Sequence, residues 1–326
     1  MFTYFCRMPA LSDKTKQFLV LLAKLLVVGG AFYYIYDRLA NNNQLDWAQF
    51  THVLTQKEAV LPVIIVLILS VTNRLFEILK WQVLVGTLQH ISLWQSTKQV
   101  LAAVTLAVFT PNGIGEYAAK ALYYKKDQTG RIIFLNLVCN GVQMIIAVAA
   151  GLIGLIFFNN TYHLIPNMLL LLVLLGIVAL AGLVFMSRNI TIKGYSIKRL
   201  FININEIPRT VHRKNAAMAV LRYLSITHQH YFIFLAFGVQ LPYFEMMAAI
   251  TGIYFLGSSL PNFAFTDFAV RGSVAVYFFG MMDVNEWIVV FAATLQWLLN
   301  IVLPVSIGSW FVLRFKPVNQ TAARQE

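Results

Sequence analysis

Long apolar stretches alternate with shorter polar ones along this chain of 326 residues. Several apolar stretches run for about 18–25 residues, which is the length of an α-helix that crosses a hydrocarbon core. This pattern predicts an all-α polytopic membrane protein. The eight apolar stretches have approximate boundaries at 17–36, 60–85, 96–122, 131–158, 164–186, 216–238, 243–282 and 286–314.

The composition excludes a soluble domain and changes the meaning of the net charge. Hydrophobic residues make up 59% of the chain and charged residues only 12%, and a soluble domain cannot bury so large an apolar fraction. The net charge of +12 would suit a nucleic-acid partner. In membrane proteins, however, lysine and arginine collect in cytoplasmic loops. We therefore expect membrane lipids, possibly anionic ones, as partners, and no nucleic acid.

Three basic polar segments orient the chain, namely a tail at 1–16, a long segment at 187–215 and a second tail at 315–326. Positively charged segments prefer the cytoplasmic side, so all three are expected there. If each of the first five apolar stretches crossed the membrane once, the segment 187–215 would lie outside. One of the five must therefore return to the side from which it came.

The stretch 96–122 is the one expected to return. Pro111 interrupts it and lacks an N–H donor, and Gly113 and Gly115 permit a tight turn after Asn112. Irregular backbone at membrane depth is tolerated only where it lines a cavity or is buried in protein. We expect a re-entrant hairpin that dips in from the cytoplasmic face.

The stretch 243–282 is interrupted in the same way at Pro261 and Asn262. It must begin and end on the outer side if 286–314 is to return the C-terminus to the cytoplasm. The expected architecture is a single transmembrane domain, 1–326, with about six full spans and two re-entrant hairpins related as an inverted pair. Both termini would be cytoplasmic.

The two hairpins carry similar residues after their turns. In each, Pro-Asn is followed by an acid, an aromatic residue, an alanine and a base, and the acid and base are four residues apart: Glu116 with Lys120, and Asp267 with Arg271. This spacing places both charges on one helix face. They could merely neutralise each other, but a buried ion pair rarely adds net stability. Ionisable residues at membrane depth are functional by default, and opposed broken helices indicate a transport site.

A further charged cluster lies in the stretch 60–85. Arg74 and Glu77 are three residues apart and can pair with each other. Arg74 could instead pair with Glu116 or bind a lipid phosphate. Lys80 and Trp81 are expected at the membrane interface, where lysine extends towards water and tryptophan anchors the helix.

Other intramembrane polar residues are expected to form hydrogen bonds between helices. They are Asn136, Asn140, Gln143, Gln296 and Asn300. The sequence contains no phosphate-binding loop, no zinc-protease motif and no aspartate-rich cluster for a metal–diphosphate. We therefore expect no cofactor, no metal site and no enzyme.

Two segments resemble a known family. They are 73–81, with the sequence NRLFEILKW, and 110–117, with the sequence TPNGIGEY. Both are similar to the transmembrane flippase-like domain family of lysylphosphatidylglycerol synthases, and the resemblance covers nearly the whole chain. It implies movement of a lipid between leaflets of a bacterial inner membrane. The soluble synthase domain has no counterpart here, so the resemblance gives no support for aminoacyl transfer.

The sequence thus predicts a lipid-translocating protein of the bacterial inner (cytoplasmic) membrane, with a polar path between the hairpins. An intramembrane transferase that uses a lipid-linked donor, a small-solute transporter and a non-transporting membrane partner remain alternatives. The residues expected to line the path are Arg74, Glu77, Pro111, Asn112, Gly113, Gly115, Glu116, Lys120, Pro261, Asn262, Asp267 and Arg271.

Overall fold

A computed structural model describes residues 60–315, apart from gaps at 109, 111–112, 187–190, 193–194, 261–262 and 264–265, together with Leu22, Tyr33 and Tyr36. The described chain is helical except for one short strand pair. Its helices are α1 Val60–Val85, α2 Leu93–Val108, α3 Gly115–Ala121, α4 Thr129–Tyr162, α5 Asn167–Met186, α6 Ile197–Asn205, α7 Arg209–Ala236, α8 Tyr243–Ser259, α9 Asp267–Gly280, α10 Glu286–Trp297 and α11 Leu303–Leu313. The strands β1 Thr191–Ile192 and β2 Tyr195–Ser196 pair antiparallel, with Thr191 opposite Ser196.

Three helical segments are long and apolar enough to cross a membrane, namely Val60–Val85, Lys126–Tyr162 and Glu286–Leu313. The third is continuous because a π-helical turn, Leu298–Val302, joins α10 to α11. No more than 33% of the most apolar part of each segment is buried inside the protein. So much exposed apolar surface suits a lipid environment, and the prediction of an all-α membrane protein is confirmed at this level.

The two interrupted stretches form helix pairs, as their sequences predict. After α2, the hydroxyl oxygen of Thr110 accepts a hydrogen bond of 2.7 Å from the N–H of Gly115, which is the first residue of α3. Gly113 has a φ of 70°, a conformation that residues with a side chain rarely adopt. Helices α2 and α3 pack against each other, and so do α8 and α9. The predicted turn residues Pro111, Asn112, Pro261 and Asn262 lie outside the described residues.

Two sets of helices make the same pattern of contacts. The first set contains α1, the pair α2–α3 and α4, and the second contains α7, the pair α8–α9 and the segment α10–α11. Within each set, neighbouring elements pack in chain order. Between the sets, α1 packs on α7, α4 packs on α8, and α11 packs on α2. The two halves are therefore joined along α1 and α7, and each half covers the first hairpin helix of the other.

Glycines allow the two equivalent contacts between the sets. A Cβ atom on Gly154 of α4 would collide with the Thr251 hydroxyl and lie 2.9 Å from the Ala248 carbonyl oxygen of α8. A Cβ atom on Gly308 of α11 would collide with the Leu101 carbonyl oxygen of α2. Small residues let membrane helices approach closely and gain dispersion contacts. The first helix of each hairpin is thus held close to the last helix of the other set.

The described part of the basic segment 187–215 has regular secondary structure. It contains the strand pair and helix α6, and helix α7 already begins at Arg209 after Pro208. Arg213 and Lys214 therefore lie near the start of α7, three and two residues before the predicted start of the apolar stretch at 216. Of the predicted first span 17–36, only Leu22, Tyr33 and Tyr36 are described, and all three are helical and exposed.

Candidate functional site

A cavity of about 260 Å³ lies where the two sets of helices meet. Residues of α1, α2, α3, α7, α8, α9, α10 and the π-helical turn line it, so both hairpins and both central helices contribute. Apolar side chains such as Val104, Ile226 and Ile253 form part of the wall. Three acidic and three basic side chains also line it, namely Arg74, Glu77, Glu116, Arg222, Asp267 and Arg271.

Glu77 is the centre of the first charged cluster. Its carboxylate oxygen Oε2 accepts a hydrogen bond from Arg74 on the same helix and lies 3.4 Å from Nη2 of Arg222 on α7. Arg74 also donates a hydrogen bond of 2.5 Å from Nη2 to the carbonyl oxygen of Asn300. Asn73 donates to the side chain of Asn300 at 2.7 Å. The cluster therefore joins α1, α7 and the π-helical turn through charge and hydrogen bonds.

Glu116 and Lys120 form the ion pair expected from their spacing, with Nζ and Oε1 2.6 Å apart. Lys120 is completely buried, and its ammonium also donates to Asn136 Oδ1 at 2.8 Å and lies 4.4 Å from the ring centre of Trp81. Asn140 donates to the other oxygen of Glu116 at 3.4 Å. Asn136 and Asn140 of α4 thus hold this ion pair by hydrogen bonds, which confirms the interhelical role predicted for them.

Asp267 and Arg271 form the equivalent pair on α9, with Arg271 Nε 2.7 Å from Asp267 Oδ2. A second guanidinium nitrogen, Nη2, donates to Ser258 Oγ at 3.2 Å, and the guanidinium carbon lies 4.8 Å from the ring centre of Tyr254. Ser258 and Tyr254 belong to α8, so the charge of α9 is held by the other helix of its own hairpin. The two side chains are 24% and 19% exposed, which makes this pair the more accessible of the two.

A network of side-chain amides forms the part of the cavity wall that the segment α10–α11 contributes. Gln296 donates to the Tyr254 hydroxyl oxygen at 2.6 Å, and Asn300 donates to Gln229 Oε1 at 2.8 Å. Both contacts link the segment α10–α11 to other helices, which confirms the interhelical role predicted for Gln296 and Asn300. His230 lies beside them, and neither of its ring nitrogens has a hydrogen-bond partner among the described residues.

Two expectations from the sequence need correction. Lys80 and Trp81 were expected at the membrane interface, but both side chains are completely buried inside the protein. Lys80 donates to Gln143 Oε1 of α4 at 3.1 Å, and Trp81 Nε1 donates to Gln99 Oε1 of α2 at 2.7 Å. Helices α2, α3 and α4 cover this end of α1, and a sequence pattern alone cannot show which helices cover which.

Arg222 is the functional candidate that sequence reasoning missed. It is the only charged residue in the apolar stretch 216–238, and a charged side chain at that depth is itself a sign of function. That signal was available, but the partner of Arg222 is Glu77, 145 positions earlier in the chain, and no local spacing predicts such a pair.

Five of the predicted path residues line this cavity, and three other described ones do not. Lys120 lies behind the cavity wall. It is completely buried, is not among the lining residues, and contacts the lining residue Glu116. Gly113 and Gly115 lie in the turn before α3 and are not among the lining residues. The four Pro-Asn residues are outside the described part of the chain. The lining residues are Arg74, Glu77, Glu116, Asp267 and Arg271.

No family model matches this sequence, and no curated protein matches it. The chemistry of the cavity therefore has to be argued from its own residues. Within the described ranges no group of three or more His, Cys, Asp or Glu side chains is placed to hold a metal ion. The arrangement of paired charges beside apolar side chains can bind a group that is charged at one end and apolar at the other.

We predict that Glu116→Gln lowers the free energy of unfolding by about 3 kcal/mol, because Lys120 would keep a buried charge without its anion. Adding Lys120→Met should restore most of that loss, since both charges are then removed. Thermal unfolding of the purified protein in detergent measures both changes.

The matched control is Glu206→Gln, which breaks a surface pair with Arg131 at 3.3 Å whose side chains are 55% and 30% exposed. That change should cost no more than about 1 kcal/mol. If Glu116→Gln costs as little as the control, Lys120 does not depend on Glu116 for its charge.

Proposed function

We propose that this protein moves a phospholipid or lipid-linked head group across a bacterial inner membrane, through the cavity between its two hairpins. One observation carries the proposal. Three acidic and three basic side chains from α1, α3, α7 and α9 converge on a single cavity inside a bundle whose outer surface is apolar. A head group would exchange its contacts with water for contacts with these charges, while its acyl chains stay in lipid.

Energetic cost supports a functional reading of the charges. Taking each ion out of water costs several kcal/mol, which pairing at best offsets, so burying three acid–base pairs is a poor way to stabilise a fold. Charged residues inside membrane proteins mark substrate pathways far more often than structural contacts. The pairs are also adjustable, because Glu77 is shared between Arg74 and Arg222 and can release one of them to a ligand.

The proposed topology has about six full spans, two re-entrant hairpins that dip in from opposite faces, and both termini in the cytoplasm. The equivalent contacts of the two sets of helices support an inverted repeat, since each hairpin is covered by the last helix of the other set. Inverted repeats with broken helices near the membrane centre are typical of transporters that alternate access around a fixed site.

The resemblance to the flippase-like domain of lysylphosphatidylglycerol synthases agrees with this function. It rests on the segments 73–81 and 110–117, which contain three charges of the site, Arg74, Glu77 and Glu116. We propose on this basis that the chain belongs to that family. A role in aminoacyl transfer does not follow from the resemblance.

Leaflet exchange in proteoliposomes tests the proposal. Fluorescent phosphatidylglycerol in the inner leaflet should become accessible to a membrane-impermeant quencher in vesicles that contain the wild-type protein. Arg271→Ala should slow this exchange at least about tenfold, because a charge-assisted contact worth roughly 1.5 kcal/mol is lost. The control is Arg213→Ala, which removes an exposed arginine outside the cavity lining.

Equal exchange by wild-type, Arg271→Ala and Arg213→Ala proteins would rule out the site. Uptake of a small solute without lipid movement would favour a solute transporter. A lipid species that disappears from extracts when the gene is deleted would favour an intramembrane transferase.

Cysteine labelling tests the proposed re-entrant hairpin. Lys125 is exposed between α3 and α4, and the proposed topology places it in the cytoplasm. Lys125→Cys in a background without the two natural cysteines should therefore resist a membrane-impermeant thiol reagent added to intact cells. Asn160→Cys, at the exposed opposite end of α4, should react. Labelling of Lys125→Cys from outside would show that the stretch 96–122 crosses the membrane.

A further inference from the structure

Three arginines of the cavity keep hydrogen-bond capacity that the protein does not use. Nε of Arg74, Nε of Arg222 and Nη1 of Arg271 are buried and have no hydrogen-bond partner among the described residues. They belong to three helices, α1, α7 and α9, all of which line this cavity. Because a buried donor without a partner costs about 1–3 kcal/mol, more for a charged group, three such donors in one place point to a ligand that accepts hydrogen bonds.

The charge around the cavity is unbalanced. Its described lining holds as many acidic as basic side chains, but two lysines are completely buried just behind the wall. Lys120 contacts Glu116. Lys80 lies one turn along α1 from Glu77, and its hydrogen-bond partner among the described residues is the neutral Gln143 amide. In this described region five basic side chains face three acidic ones, which leaves an excess of two positive charges.

We infer that the cavity prefers a dianionic phosphate group, that is, a phosphate monoester or diphosphate, over the phosphodiester of an ordinary phospholipid. A phosphate monoester carries a charge of about −1.5 to −2 at neutral pH, which matches the excess. Its oxygens are strong acceptors that suit guanidinium donors from several directions. Arg222 is assigned as the third guanidinium of this site.

The same phosphate chemistry could come from a lipid or from a soluble phosphate. The apolar wall beside the charges, with Val104, Ile226 and Phe268, favours a lipid. A lipid can bury apolar surface against this wall, whereas a free phosphate has no apolar surface to bury. This inference rests on the proposed function, since it names the head group that would be moved. Binding and leaflet exchange are measured separately, so that either can fail without the other.

The test compares three probes on the purified full-length protein in detergent, at slightly alkaline pH. Short-chain phosphatidic acid presents a phosphate monoester, short-chain phosphatidylglycerol presents a phosphodiester on the same acyl chains, and inorganic phosphate presents the dianion alone. We expect phosphatidic acid to bind at least about tenfold more tightly than phosphatidylglycerol. Equal affinities for the two lipids would overturn the inference, even if leaflet exchange of phosphatidylglycerol is found.

Two variants separate contact from charge. Arg222→Gln should weaken phosphatidic acid binding about tenfold or more, whereas Arg213→Gln, the same change at an exposed position of the same helix, should have no effect. Lys80→Met removes one excess charge without altering the cavity lining. It should lower the preference for phosphatidic acid over phosphatidylglycerol several-fold.

If Arg222→Gln does not fold, the Lys80→Met variant still tests the inference. An unchanged preference of Lys80→Met for phosphatidic acid over phosphatidylglycerol would contradict the charge argument. Inorganic phosphate that binds as tightly as phosphatidic acid would overturn the lipid source and leave a soluble dianion as ligand. Selective binding of phosphatidic acid without any leaflet exchange would uphold the site and contradict transport.

Discussion

Glu77 accepts contacts from two arginines on different helices, and this shared carboxylate joins the two halves of the bundle at their centre. The surrounding helices hold Glu77 and its two arginines in a site with little exposure to solvent. Ions in a low-dielectric interior need partners with close geometry. Here the ion pairs within a helix gain further partners from other helices, such as Arg222 for Glu77 and Asn136 for Lys120. The Glu77–Arg222 contact therefore helps to fix the position of α1 against α7, together with the packing of the two helices.

The two hairpins hold their buried charges in equivalent ways. Each interrupts a helix, places an acid in the first turn of the second helix, and pairs it with a base one turn later. The first pair is held by the amides of α4 and is almost closed off, whereas the second is held by α8 and is more accessible. This difference gives the cavity one firmly held side and one side that can respond to a ligand.

Much of the fold could be predicted from local pattern. The helices near 60–85, 131–158 and 286–314 follow from apolar length, and the two hairpin ion pairs follow from a spacing of four residues. What could not be predicted depends on contacts between distant segments. Lys80 and Trp81 resemble interface residues until α2, α3 and α4 cover them, and Arg222 meets Glu77 only because α7 packs on α1. The number of spans and the insertion of the hairpins stay predictions.

The central claim is that the buried charges carry a head group and are not merely structural. It is tested most directly by leaflet exchange in the double variant Glu116→Gln, Lys120→Met, after its unfolding has been shown to match the wild-type protein. That variant keeps the hairpin folded but lacks one of the cavity's three acids and the lysine behind it. The account predicts that lipid movement stays at least about tenfold slower than in the wild type. Lipid movement at the wild-type rate would contradict it, and would assign this pair to the fold alone.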